Sequence, residues 1–425
     1  MAIVINGSGT VTGLAVGGLP DGTVDAGTLA TNSVDSAELI DGAVDDSHMA
    51  AMAASKLTGA LPAISGASLT NLPSKGKNIF INGDMGVAQR GTITGITSSK
   101  YTTCDRWNLN YGDAGTWTTT QDTDVPAGQG FSHSLKFDCT SADTSVASGS
   151  FLRLHYRPES QDLKQCRWGT SNAQPLVMSF WIKFDNLTGD FCTDVLSLDN
   201  SNNRTVSQKF TYSTAGAWQK CVFTIPADTG GNTLGVDNAG DTYFQIFLQA
   251  GSDLTSGTLN TTWATRVNAN RAAGQTIQAA SSTSNNVYLT GCQLELGSTA
   301  TDFEYRTYGE QLALCQRYFE RFAKVSSETV ICLAQGTSST LVFGRLPFST
   351  EKRVEPSGSV SSAGHIQVLT GAASAWNTPT GVSINAGNRK CMRLGISGLS
   401  GMTSGGCHEV RINDSNGYID FDAEL

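Results

Sequence analysis

PLVMSFWIKFDNL, residues 175–187, alternates along its length: Leu176, Met178, Phe180, Ile182 and Phe184 share one face, with Ser179 and Lys183 on the other. Successive side chains of a strand point to opposite faces of a sheet, so this spacing predicts a β-strand with one buried side. AWQKCVFTIPAD (217–228) and DTYFQIFLQAGS (241–252) repeat the pattern, separated by Gly, Asn and Asp turns, and NNVYLTGCQLELG (285–297) closes the set. Several such strands with long loops predict a β-sandwich of the jelly-roll kind over residues 75–308. The composition agrees: 15% charged residues and 46 glycines in 425 residues suit strands and turns rather than helical bundles.

Outward from that core, GEQLALCQRYFERF (309–322) breaks the alternation. Leu312, Cys315, Phe319 and Phe322 recur at spacings of three, four and three, which predicts a short connecting α-helix over 309–324. Its narrow stripe suits either a coiled-coil seam or packing on the domain it leaves. ETVICLAQ (328–335), TLVFGRLPF (340–348), GHIQVL (364–369), MRLGIS (392–397), HEVRIN (408–413) and GYIDFD (417–422) then read as strands of a small C-terminal β-sandwich over 325–425.

Residues 1–74 differ in kind. They contain no aromatic residue and carry a net charge of −6. A ten-residue unit recurs: Val24-Asp25 then Leu29, Val34-Asp35 then Leu39, Val44-Asp45 then Met49. Asp35 with Glu38 reads as a capping box, and Val34 with Leu39 as a hydrophobic staple. Two apolar side chains per unit enclose no core, so the segment is either disordered or ordered by neighbouring copies. The periodic staples favour assembly. DDSHMAAMAASKL (45–57) is Ala-rich and helix-favouring, and TGALPAISGASLTNLPS (58–74) reads as an extended connector.

The formal net charge of −9 argues against a nucleic-acid partner, because phosphate binding needs clustered Lys and Arg. No apolar run approaches the ~18 residues of a membrane span, so no membrane insertion is expected. The opening MAIVINGSGTVTG has no basic or long apolar region, so no signal peptide is expected. None of the ten cysteines forms a CxxC pair, and most stand in apolar runs, which reads as reduced, buried thiols. Neither GxGxxG, GxxxxGK[ST], HExxH nor GxSxG occurs, and the five histidines show no metal-ligand spacing. The expectation is a non-enzyme with no cofactor and no metal. A glycosidase needs only two carboxylates brought together by folding, so that alternative stays open.

Trp107, Trp168, Trp181 and Trp218 lie in or beside strand patterns and read as core. Trp117, in GDAGTWTTTQDTD, and Trp376, in GAASAWNTPTG, stand among Gly, Ala and Thr, where a loop tryptophan offers a face for stacking on sugars. His365 and Arg389 are further candidates for such a carbohydrate-binding surface.

NIFINGDMGVAQRG (78–91) followed by YTTCDRW (101–107) resembles the opening of a β-sandwich found in bacteriophage tail fibres. LTGCQLELGSTATDFEYRTYGEQLALCQRYFE (289–320) is similar to the closing signature of that family, and CRWGTSNAQPLVMSFWIKF (166–184) to its central strand. The ten-residue units also look like shaft repeats in fibres of marine phages. The resemblance implies a homotrimeric virion fibre with a carbohydrate-binding-module-like jelly roll. Residues 1–74 would attach to a phage tail or baseplate protein, and the outer domains would bind a host surface glycan. Its alternatives are a tailspike-type polysaccharide depolymerase and a purely structural baseplate or collar fibre.

Overall fold

The computed structural model describes residues 4–5, 11–12, 76–325, 329–370 and 375–425. The chain separates into two units, Met1–Leu72 and Pro73–Leu425. In the first, Val4–Ile5 pairs antiparallel with Val11–Thr12. The ten-residue units, including Val34, Asp35, Glu38 and Leu39, lie outside the described residues.

In the second unit, the stretch 175–187 forms the strand Leu176–Phe184. Its five alternating apolar side chains are all at most 2% exposed, as a face turned to the core requires. This strand belongs to a six-stranded antiparallel sheet, ordered Gln219–Ile225, Leu176–Phe184, Asn286–Leu296, Ser134–Ser141, Thr116–Asp122, Ile93–Ile96. A seven-stranded antiparallel sheet faces it, ordered Ala264–Thr265, Arg204–Tyr212, Gly189–Ser197, Thr242–Ala250, Phe151–Tyr156, Asn108–Gly112, Lys100–Tyr101. One apolar core fills the space between them, so the architecture is a β-sandwich. The chain crosses between the sheets several times, so each sheet is assembled from strands far apart in sequence.

The opening signature acts as a lock on this sandwich. Phe80 packs among Trp107, Tyr156 and Phe244 at ring centroid distances of 4.6–5.5 Å. The Asn82 side chain donates to the carbonyls of Val87 and Asp105 and accepts from the Val87 amide. Trp107 donates its indole N–H to the Asn82 carbonyl at 3.0 Å. Gly83 is required by close approach: a Cβ there would lie 1.9 Å from the Cys292 carbonyl oxygen.

The connecting helix spans Tyr308–Gln316 and begins with a capping box, Thr307 with Glu310. It is shorter than the 309–324 expected. Phe319–Ala323 is instead a strand, paired with Tyr418–Asp422 in a three-stranded sheet that also holds Ser357–Val360. Tertiary contacts override the helical stripe here. Arg317 and Tyr318 both bind Glu159 of the sandwich, and Phe319 lies under the Arg90 guanidinium at 3.6 Å. The remaining strands form a seven-stranded sheet ordered Trp376–Asn377, Ile366–Leu369, Cys407–Ile412, Thr329–Ser338, Leu341–Pro347, Cys391–Ser397, Gly381–Asn385. It shares a second core with the three-stranded sheet, built from Val342, Leu346, Leu394, Val410, Ile419 and Phe421. All ten cysteines are free thiols, and seven are buried.

Candidate functional site

The strand Leu176–Phe184 has a second face, turned away from the core. Trp181 has the same parity as Ser179 and Lys183, so it points outward with them. Across the six-stranded sheet it stands between Lys220 and Thr290, and the next row runs Lys183, Tyr288, Lys136, Thr120. Reading Trp181 as core is therefore corrected. Its half-buried indole lines a cleft of about 320 Å³, together with Phe131, Phe303, Tyr305, Lys220 and Asp302.

Three aromatic rings wall this cleft. Phe131, Phe303 and Tyr305 meet one another at 4.9–5.7 Å, and the Tyr305 hydroxyl donates to the Gln129 carbonyl, tying together the two loops that carry them. Gly291 makes the room. It sits at φ +62° in a bulge of Asn286–Leu296, where a Cβ would lie 2.6 Å from Phe131 Cζ and 2.9 Å from Trp181 Cδ1.

Beside the cleft lies a charged cluster. Lys183 lies 4.0 Å over the Tyr288 ring and pairs with Asp124, which also accepts the Trp218 indole N–H at 2.9 Å. Burial alone would raise the Asp124 carboxyl, but Lys183 and Trp218 outweigh it and hold it below its ordinary value. Burial, reinforced by Asp185, Asp122 and Asp124, keeps the Tyr288 hydroxyl protonated. This cluster is a fixed polar wall rather than an acid or base poised near neutrality.

The tryptophans separate by what their indoles do. Trp107, Trp117, Trp168, Trp218 and Trp263 each donate the indole N–H to a protein oxygen. Trp376 stacks on the Arg411 guanidinium at 3.7 Å, and Gln367 anchors that guanidinium. Among the described residues, Trp181 has neither a hydrogen-bonded indole N–H nor a ring stacked upon it. A half-buried aromatic in a cleft, with an open ring face and a free polar handle, has the makings of a stacking platform.

The sequence-derived candidates do not converge. Trp117 is fully buried, in the strand Thr116–Asp122, with its N–H on the Ala114 carbonyl at 2.6 Å. That is a correction: no face of Trp117 is open to a sugar. Trp376 stands at one edge of the C-terminal seven-stranded sheet, half-buried. Arg389 is exposed at the opposite edge, between Gly381–Asn385 and Cys391–Ser397, held by Glu351 and the Lys352 carbonyl. His365 closes the turn Ala363–His365, its Nδ1 2.9 Å from Ser361 Oγ. Among the described residues no group of three or more His, Cys, Asp or Glu side chains is placed to hold a metal ion.

No protein-family model matches the chain, and no curated protein matches its sequence. Among solved structures it is similar to the enzymatically active domain of tailspike protein 4 of bacteriophage CBA120, at 14% identity and a TM-score of 0.25, over 48% of this chain and 21% of that one. It is also similar to the CBM22-1 xylan-binding domain of Paenibacillus barcinonensis Xyn10C, at 12% identity and a TM-score of 0.23, over 50% of this chain and 100% of that one. A third is the family 11 carbohydrate-binding module of Clostridium thermocellum Lic26A-Cel5E, at 11% identity and a TM-score of 0.24, over 49% and 99%. The matched region thus spans about a fifth of the tailspike domain's length.

Proposed function

We propose that this chain is a glycan-binding fibre protein of a bacteriophage tail, which attaches to host surface polysaccharide without cleaving it. The observation that carries the binding reading is Trp181: an unstacked, unpartnered indole in an aromatic-walled cleft with Lys220 and Asp302 at its rim. Sugars offer apolar C–H faces for stacking and hydroxyls for hydrogen bonds, and this cleft supplies counterparts for both. Asp302 is the one carboxylate among the cleft's lining residues, whereas glycoside hydrolysis uses a pair.

In this reading residues 1–74 join the tail or baseplate and three copies assemble on the virion. Three linked sites raise effective concentration, so avidity exceeds single-site affinity by ~10²–10⁴ without new contacts. A shallow cleft then suffices for attachment. The test is to label host cells with fluorescent full-length protein while assaying released reducing ends from their polysaccharide. Labelling without sugar release supports the proposal. Released reducing ends would replace it with a depolymerase, and absence of labelling with a structural fibre.

A further inference from the structure

The Trp181 cleft has a neighbour. Phe131 and Tyr305, which wall it, also line a second cavity of about 280 Å³, together with Asp84, His133, Tyr308 and Gln311. The cleft and the cavity therefore lie on either side of one pair of rings, whose centroids are 5.7 Å apart. Both stand at the small end of ligand pockets, which begin at roughly 300 Å³, so each alone takes only part of an oligosaccharide.

The ridge between them is open to solvent. Tyr305 is 52% exposed and Tyr308 64%, and they are the two aromatics among the exposed large apolar side chains of the described residues. A single exposed ring needs no explanation, whereas two that line one cavity beside an aromatic-walled cleft make a continuous track. Tyr305 is held in place, by its hydroxyl on the Gln129 carbonyl and its ring against Phe131 and Phe303. Tyr308 opens the helix Tyr308–Gln316, so the capping box of Thr307 and Glu310 fixes the backbone that presents it. Both rings offer faces to the C–H surface of a sugar.

The polar end of the cavity is Asp84. Its half-buried carboxylate accepts from the Gly86 amide at 3.4 Å and forms no ion pair among the described residues. Burial pushes this carboxyl up, against the Gly86 amide, His133 and Arg306. Arg306, the permanent cation on the same wall, is already engaged: it donates to the carbonyls of Asn78 and Phe80 and to Glu304. The cavity thus presents an acceptor whose charge no cation offsets. Neighbouring hydroxyls of a neutral sugar suit it, because hydrogen bonds to an ionised carboxylate are the stronger kind. An acidic sugar would bring a second negative charge with no free cation to receive it.

We propose that the two cavities are subsites of one groove, in which a glycan seated on Trp181 crosses the Tyr305 ridge and places a neutral sugar unit on the Tyr308 ring with its hydroxyls on Asp84. The assignment rests on the reading of Trp181 as a glycan platform, and adds to it a required chain length and the chemistry of a second unit.

Calorimetric titration of the full chain with size-fractionated fragments of purified host surface polysaccharide, from disaccharide upward, tests it. The expected result is affinity that rises at least tenfold from the shortest fragments to the longer ones. Tyr308→Ala, which removes an exposed ring, should abolish that rise and leave the shortest fragments unaffected. Asp84→Asn keeps the shape but not the charge, and should weaken the longer fragments several-fold. Trp181→Ala should weaken every fragment. Affinity independent of length, a rise that survives Tyr308→Ala, or tighter binding of long fragments by Asp84→Asn would overturn the proposal while the Trp181 cleft stands. Shortest-fragment binding indifferent to Trp181→Ala, or no binding of any fragment, would remove the cleft and the groove with it. Thermal unfolding of each variant without ligand confirms that binding is compared between folded proteins.

Discussion

Arg106 and Glu424 lie 318 positions apart in sequence and form a buried ion pair, with side chains 0% and 3% exposed. The Arg106 guanidinium also lies 3.5 Å from the Tyr318 ring centroid and donates to the Arg157 carbonyl. Arg90 binds the same Glu424 at 3.2 Å and reaches Asp105 at 3.4 Å. Arg353 donates to the carbonyls of Asn238, Ala423 and Glu424. The last strand of the C-terminal sandwich is thereby tied to the central one through charges that water does not reach. Removing one partner of such a pair strands the other, at a cost of about 3–5 kcal/mol. Glu424→Ala should lower the urea midpoint accordingly, and the sandwich signals of Trp107 and Trp168 should report the loss along with the C-terminal domain.

Asp105 gives this junction a pH dependence. Burial pushes its carboxyl up to about 7, against Arg90 and Gln89. The unfolded carboxyl titrates near ~4, so between ~4 and ~7 the folded state holds the proton more tightly. Stability from this group is complete below that window and declines as pH rises through it, by at most about 1.4 kcal/mol per pH unit. Asp105→Asn mimics the protonated form, so the stability difference between wild type and variant should move against the wild type from pH 4 to pH 7. A difference constant across that range would remove Asp105 as its source.

Gly291→Ala tests the cleft from its floor. At φ +62° a Cβ costs roughly 1–2 kcal/mol in backbone strain, and it would also collide with Phe131 and Trp181. The variant should lose glycan binding by more than its modest loss in melting temperature explains.

Two tryptophans that look alike in sequence should part in the laboratory. Trp117→Ala empties a fully enclosed site and should cost about 3–5 kcal/mol of stability. Trp376→Ala removes a half-buried ring on an edge strand and should cost far less. Chemical denaturation of both variants measures the difference.

The strands most legible in sequence were those with one strongly apolar face. Leu176–Phe184 and Thr242–Ala250 carry it in alternation, and Asn286–Leu296 carries it as Val287 and Leu289 and then, past the bulge at Gly291, as Cys292 and Leu294. Thr116–Asp122 (TWTTTQD) was not legible, because threonine serves a strand interior and a loop equally well in composition. That ambiguity placed Trp117 in a loop. The helix after Tyr308 was legible in its start but not in its end, since Glu159, which captures Arg317 and Tyr318, lies 158 and 159 positions away from them in sequence. The cleft left one usable signal: Trp181 shares the parity of Ser179 and Lys183, the polar face of the strand. Its other walls, Phe131, Phe303 and Tyr305, come from two distant loops, and no local pattern brings them together.

Whether Trp181 grips a host glycan, as proposed, is tested directly by calorimetric titration of purified host surface polysaccharide into the full chain and into Trp181→Ala. Saturable binding by the wild type and at least a tenfold weakening in the variant are expected, about 1.4 kcal/mol or more for an aromatic anchor, with both chains equally folded. Equal binding by the two chains would contradict it.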